Sequence, residues 1–368
     1  MTGAPKVGLV LGAGGVMGGA WLTGGLEAIA AETGWDPASA DRIVGTSAGS
    51  MMGALLASGV PPWFMVAHSA GQSFTGLVDR EGREAATADR SAGATFRYAG
   101  GLPPIGPGSW RLIASSLSAP NRHRPAALLA GWLPRGFISN EPLKDVVRRV
   151  VPSGWTEHPS FWAVACDYAN GRRVAFGRQD APEADLADAV AASCAIPGFY
   201  KPVEIAGRTY VDGGLWSTSN LDIVRNEGLD LVICLNPTSS LHPPRAWNPV
   251  ERVAGAFERT SGRRLGAETK KLRAAGTEVV LIQPTDEDKA VMGPNLMSTR
   301  NRNPVIQTAI RTVGEQLRAP GVLELLADLP PGPDHKIRQP SGPPSTWPST
   351  LPGVSVRPDA DEADAEAV

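Results

Sequence analysis

Apolar positions along the chain fall into short continuous runs that alternate with stretches of helical spacing. Lys6 to Leu11 has the length and continuity of a strand buried on both faces. Behind it Leu22, Leu26 and Ile29 recur at i, i+4 and i+7, one face of a helix. Ile43-Val44 predicts a second strand after a crossover of the length a βαβ unit needs, and a small-residue helix over Ala48 to Ala57 follows, packing Ala48, Met51, Met52 and Leu55. Later in the chain, Ser139-Asn140-Glu141-Pro142 reads as a helix start, with Leu143, Val146, Val147 and Val150 on the apolar face behind it. Phe161 to Cys166 and Arg173 to Phe176 predict a hairpin about the turn Asp167 to Gly171. A helical run over Leu186 to Ala195 stops at Ile196-Pro197. Strands are expected at Thr209 to Val211, Leu229 to Leu235 and Glu278 to Ile282, and helices over about 250–275 and 305–317. Strands alternating with helices predict an α/β fold with a mainly parallel central sheet.

Two regions break this pattern. From about Gly71 to Asn140 glycine, serine, proline and alanine dominate, with Trp63, Phe96, Trp110, Trp132 and Phe137 in or near the stretch. Between Arg90 and Asn140 there are six arginines and no acidic residue, so this irregular insertion reads as a lid or as a peripheral contact with anionic lipid; the plainer reading is an exposed loop. From Pro330 onward the chain is rich in proline, serine and glycine and then acidic, the composition of a disordered tail. The expected division is therefore one domain over 1–329 and a tail over 330–368.

Composition narrows the classes further. The chain has 368 residues, 42% hydrophobic and 20% charged, enough for a full core, and its net charge of -2 offers no general attraction to nucleic acid. No apolar run approaches the roughly 18 residues of a membrane span, and the first apolar run is too short and too glycine-broken for a signal peptide. Cys166, Cys194 and Cys234 are an odd number in apolar sequence, so buried free thiols in a reducing, cytoplasmic setting are expected and no metal site is.

The candidate chemistry centres on Gly45-Thr46-Ser47-Ala48-Gly49, a G-x-S-x-G pentapeptide set between strand and helix. A serine on such a tight turn needs almost no side chain two residues to either side, which is a steric reason for both glycines, and it stands at a helix N-terminus that favours developing negative charge. Ser47 is therefore the candidate nucleophile. The loop Gly12-Ala13-Gly14-Gly15-Val16-Met17-Gly18-Gly19 lies between the first strand and its helix, where main-chain N–H groups can bind an anion. A dinucleotide fingerprint would need a third glycine at Met17 and an acid ending the second strand, and a phosphate loop would need G-K-[ST]; the alternatives are a glycine turn serving only close packing, or a pyrophosphate-binding or catalytically silent protein. Asp212, in Asp212-Gly213-Gly214, ends a strand as Ser47 does, and so does Asp167, whose hairpin context favours a turn. The order Ser47, Asp212, His242 would fit a triad hydrolase, but His242 sits in a proline-rich surface turn and only one βα unit precedes the serine. His68, His123, His158 and His335 lack clustered carboxylates in the sequence around them.

Taken together, the glycine loop, Gly-Thr-Ser-Ala-Gly about 30 residues later, the block Ala192-Ser193-Cys194-Ala195-Ile196-Pro197 and the distant Asp-Gly-Gly resemble the patatin-like phospholipases, over roughly Val7 to Pro237 and more weakly to about residue 320. The resemblance implies a three-layer α/β/α fold and a serine acyl hydrolase acting on lipid esters without a cofactor. By position it implies Ser47 as nucleophile, Asp212 as its base in a Ser-Asp dyad, and the amides of Gly14, Gly15 and Val16 as the oxyanion hole; the amide of Ala48 is a further physical candidate. Ala13 replaces the first glycine of the usual triplet, and Met17 stands where a basic residue is frequent, so the resemblance names a lipid ester without naming a phospholipid.

Overall fold

In the computed structural model the run Val7–Leu11 forms strand β1, buried along its whole length, and leads through the glycine loop into helix α1, Gly15–Thr33. The structure describes residues 4–70, 77–78, 96–100, 105–118, 130–239, 249–332 and 355–356. Next come strand β2, Arg42–Thr46, and helix α2, Ala48–Ala57, the strand-to-helix step expected around Ser47. Helix α3 covers Pro62–Ser69.

The central sheet runs in the order β6-β7-β4-β2-β1-β8-β9, with β5 beside β4. These strands are β4 (Phe161–Asp167), β5 (Arg173–Phe176), β6 (Val203–Ile205), β7 (Arg208–Asp212), β8 (Leu231–Leu235) and β9 (Glu278–Ile282). Five consecutive members, β4, β2, β1, β8 and β9, are mutually parallel; β5, β6 and β7 add antiparallel pairs at one side. The expectation of a mainly parallel sheet holds.

Alternation along the strands sorts side chains into two cores. Leu9, Leu11, Ile43 and Ile233 point to the larger one, shared with Trp21, Leu22 and Ile29 of α1, with α2, and with Ile306 and Val313 of a later helix. Val10, Val44, Val232 and Cys234 point to the smaller one, closed by Leu265 and Leu272 of a long helix. Helices on both faces make three layers. The remaining helices are α4 (Trp110–Ser118), α5 (Glu141–Val150), α6 (Leu186–Ser193), α7 (Pro249–Arg273), α8 (Asp286–Met292), α9 (Arg302–Leu317) and α10 (Pro320–Leu326).

Several elements are absent from the sequence reading. Strand β6 pairs with β7 across a two-residue turn, Ala206-Gly207, with both residues at positive φ. That is the geometry of a tight hairpin, but alanine at the first position hides the usual Asn-Gly or Asp-Gly signal. Helix α4 lies inside the stretch read as irregular; it is nine residues long, and its apolar stripe of Trp110, Ile113, Ala114 and Leu117 is hidden among glycine, serine and proline on either side. Helix α8 begins with a capping box, Thr285 and Asp288, inside a run of acidic residues that reads as loop. Most of the tail lies outside the described residues, but strand β10 (Ser355–Val356) pairs antiparallel with β3 (Leu77–Val78).

Candidate active site

The sharp turn at Ser47 follows from what surrounds it. Ser47 sits at φ 52°, ψ -120°, a backbone conformation an L-residue adopts only when its surroundings impose it. One imposed contact is side chain to main chain: the Ser47 N–H donates to Ser193 Oγ at 2.9 Å, and Ser193 Oγ donates to the Val164 carbonyl at 2.6 Å. Helix α6 and strand β4 thereby clamp the turn. The glycines on either side leave no room for a side chain: a Cβ on Gly45 would lie 2.4 Å from the Gly49 carbonyl oxygen, and one on Gly49 would lie 2.0 Å from the Leu11 carbonyl oxygen. Because the obstacle to a Gly49 side chain is main chain at the end of β1, Gly49→Ala is expected to cost at least about 3 kcal/mol of stability and to lower the melting temperature by several degrees. An unchanged melting temperature would sink this account of the turn.

Sheet register sets the distance between Ser47 and Asp212. Strand β4 pairs with β2 up to Thr46↔Val164, and then with β7 from Ala165↔Asp212 onward. Successive residues of β4 therefore face the residue before Ser47 and Asp212 itself. The Ser47 hydroxyl lies close enough to the Asp212 carboxylate to lower its pKa, and Asp212 Oδ1 accepts from the Gly214 N–H at 2.6 Å. Both side chains are buried, and burial pushes Asp212 up to about 6, while the bonds from Ser47 and Gly214 pull it back down.

The glycine loop lies against this pair. The Gly49 and Gly214 positions touch it from two sides: the Leu11 and Gly12 carbonyls crowd Gly49, and Ala13 Cβ is 3.7 Å from where a Gly214 Cβ would be. Ala13 N–H is consumed by the Thr218 carbonyl, and Met17 N–H by the Leu296 carbonyl. The N–H groups of Gly14, Gly15 and Val16 between them, and that of Ala48, have no acceptor among the described residues and belong to the free donors that open α1 and α2. Gly15 takes φ 60°, and a Cβ there would stand 2.9 Å from Leu296 O and Met297 Sδ, so the segment after α8 covers one side of the loop. Met17 is fully buried and packs into the larger core, away from the loop's free amides.

The other acid and histidine candidates stand apart. Asp167 accepts from the Ala169 N–H at 2.8 Å and pairs with Arg208 at 2.5 Å, a turn-holding role. His158 bonds the Ala40 carbonyl at 2.9 Å, and burial lowers its pKa. His242, His123 and His335 lie outside the described residues. The three cysteines are free and buried, as expected; Cys194 lies beside the Ser47 turn, 3.8 Å from Ser50 Oγ. No group of metal-ligating side chains occurs among the described residues.

Two supporting residues escape the sequence reading. Ser193 lies in the block that carries the family resemblance, but nothing in its local pattern says it would hold the Ser47 N–H. Asn220 is buried at positive φ; its amide donates to Thr46 Oγ1 at 3.0 Å and to the Ser217 and Gly213 carbonyls, and its oxygen accepts from Arg173. It ties the strand before Ser47 to the turn after Asp212, a contact across 174 residues that leaves no local signal.

The fold and this geometry define an α/β protein with a buried serine on a strand-to-helix elbow beside a buried aspartate. The patatin-like phospholipase family model matches residues 9–225, and the chain belongs to that family. It is also similar to the crystal structure of VipD from Legionella pneumophila, at 14% identity and a TM-score of 0.35 over 84% of this chain and 67% of that one. Membership supports a lipid acyl hydrolase activity in general terms.

Proposed function

We propose that the protein is a serine lipid acyl hydrolase that cleaves carboxylic esters of lipids through a Ser47-Asp212 dyad. The observation that carries this reading is the juxtaposition of two buried side chains, Ser47 on its strained elbow and Asp212 at the neighbouring strand end, with Asp212 pushed up to about 6. Ser47 Oγ attacks the ester carbonyl and Asp212 takes its proton, which it returns to the departing alcohol oxygen. Water then attacks the acyl-serine; Asp212 accepts a proton from the water, and the acid leaves as Ser47 recovers its own. The oxyanion of both steps is held by the free amides of Gly14, Gly15, Val16 and Ala48. An ordinary aspartate near 3.9 is a weak base at neutral pH, and dehydration of the site makes this one stronger. Three buried free thiols fit a reducing, cytoplasmic location.

The experiment is active-site labelling with a fluorophosphonate, followed by mass mapping of the adduct, together with a pH profile on a soluble ester. The label is expected on Ser47. Asp212 must be ionised to act as a base, so kcat/KM should rise with pH through about 6 and then level. No label, or a profile flat from pH 5 to 8, would defeat the dyad.

A further inference from the structure

Helix α4 has two apolar faces and uses only one. Leu112 and Ile113 are buried, and Leu112 packs with Val211 and Leu215, the residues that flank Asp212 and its turn. On the opposite face Trp110, Ala114 and Leu117, at i, i+4 and i+7, look outward; Trp110 is 67% exposed and Leu117 74%. Adjoining chain extends the same surface. Gly108 N–H bonds the Leu133 carbonyl and Ser109 N–H the Gly131 carbonyl, which sets exposed Trp132 and Leu133 beside the helix start. Phe137 and Phe96 add two more exposed rings, Phe96 standing edge-on to Phe199 at 5.4 Å.

Charge says what covers this face. Arg97, Arg111 and Arg135 are exposed within it, Lys201 borders it, and residues 91–140 contain no acid; the carboxylate at its edge is Glu204, beside Arg135 and Lys201 in a shallow cavity. Large apolar and aromatic side chains standing among arginines are suited to the boundary of an anionic bilayer, where rings lie at headgroup depth and guanidinium groups meet phosphate. A folded protein partner with such a pattern would have to bury these cations against matching acids. No helix among the described residues is long and apolar enough to cross a membrane, so attachment through this face would be peripheral.

We infer that the outer face of α4 and the adjoining segments 96–99 and 132–137 dock the protein on an anionic lipid surface, with the inner face of the same helix packed beside Asp212. This deepens the lipid hydrolase reading and rests on it for the nature of the partner. The test uses the full chain with Ser47→Ala, so that binding is read without turnover, in co-sedimentation with phosphatidylcholine vesicles with and without phosphatidylglycerol. Binding is expected only where phosphatidylglycerol is present and should weaken with salt. Arg97→Glu with Arg111→Glu should lower the partition by more than about tenfold, and Trp110→Ala with Leu117→Ala should lower it as well. The same surface changes placed in the Ser47-containing protein should leave turnover of a soluble nitrophenyl ester unchanged. Failure to bind either vesicle, or equal binding by both surface variants, overturns the assignment. A dimer in solution that Trp110→Ala dissolves would give the face to a second copy instead. Loss of ester turnover in the parent protein would strike the hydrolase reading and leave the binding result standing.

Discussion

Ser47→Ala is expected to abolish ester hydrolysis, lowering kcat/KM for a short-chain nitrophenyl ester by at least about 10,000-fold, with the fold intact. The side chain is small and buried, and the turn is held through its N–H by Ser193, a bond alanine keeps. Asp212→Asn should lose about a thousandfold, the usual worth of a positioned base, because the amide still fits between Ser47 and the Gly214 N–H but cannot take a proton. It should also be at least as stable as the parent above pH 6, since a buried carboxylate with a raised pKa costs stability when ionised. His242→Ala is expected to retain full activity. Activity lost in His242→Ala as well as in the first two changes would replace the dyad with a triad.

The second large effect is on stability and comes from α1. Glu27 is fully buried, and neither carboxylate oxygen has a partner among the described residues; burial pushes its pKa up to about 8. The native state therefore holds a proton that the unfolded chain releases above pH 4.5. Stability from this group is greatest below that pH, falls as pH rises, and stops falling near 8. Asp212 acts with the same sign, but its window closes near 6. Between pH 6 and 8 the loss assigned to Glu27 is about 2–3 kcal/mol. Glu27→Met, which fills similar space without charge, should remove that loss. The measurement is urea midpoints at both pH values for the two proteins; the difference between them cancels every other titrating group, His158 included. Parallel pH dependence in the two would mean that Glu27 finds a partner or water in solution.

These two effects differ in how visible they are from sequence. Ser47 is visible because its constraint is local: the glycines on both sides, the strand before and the helix after are all within a few residues. Asp212 is visible as a strand end followed by glycines, and by resemblance. Glu27 is not visible. A single glutamate among Leu26, Ala28 and Ile29 looks like the polar side of an amphipathic helix until α9 and the helices beside it close over α1. Its raised pKa is a property of what packs around it, not of its neighbours in the chain.

The sequence alone determined the order of the parallel strands and of the longer helices between them, because hydrophobic periodicity and glycine sterics act over two to ten residues. It determined the elbow for the same reason, and with it the family. Tertiary structure decided what depends on partners far apart in the chain. The register of β4, which faces Thr46 with one residue and Asp212 with the next, brings serine and aspartate together. Ser193 and Asn220 reach across 146 and 174 residues to hold them. The amides of the glycine loop are sorted into consumed and free only once Thr218 and Leu296 arrive beside it. Even the second apolar face of α4 acquires meaning only from which side the core takes, since burial is assigned by the whole fold and not by the helix that carries it.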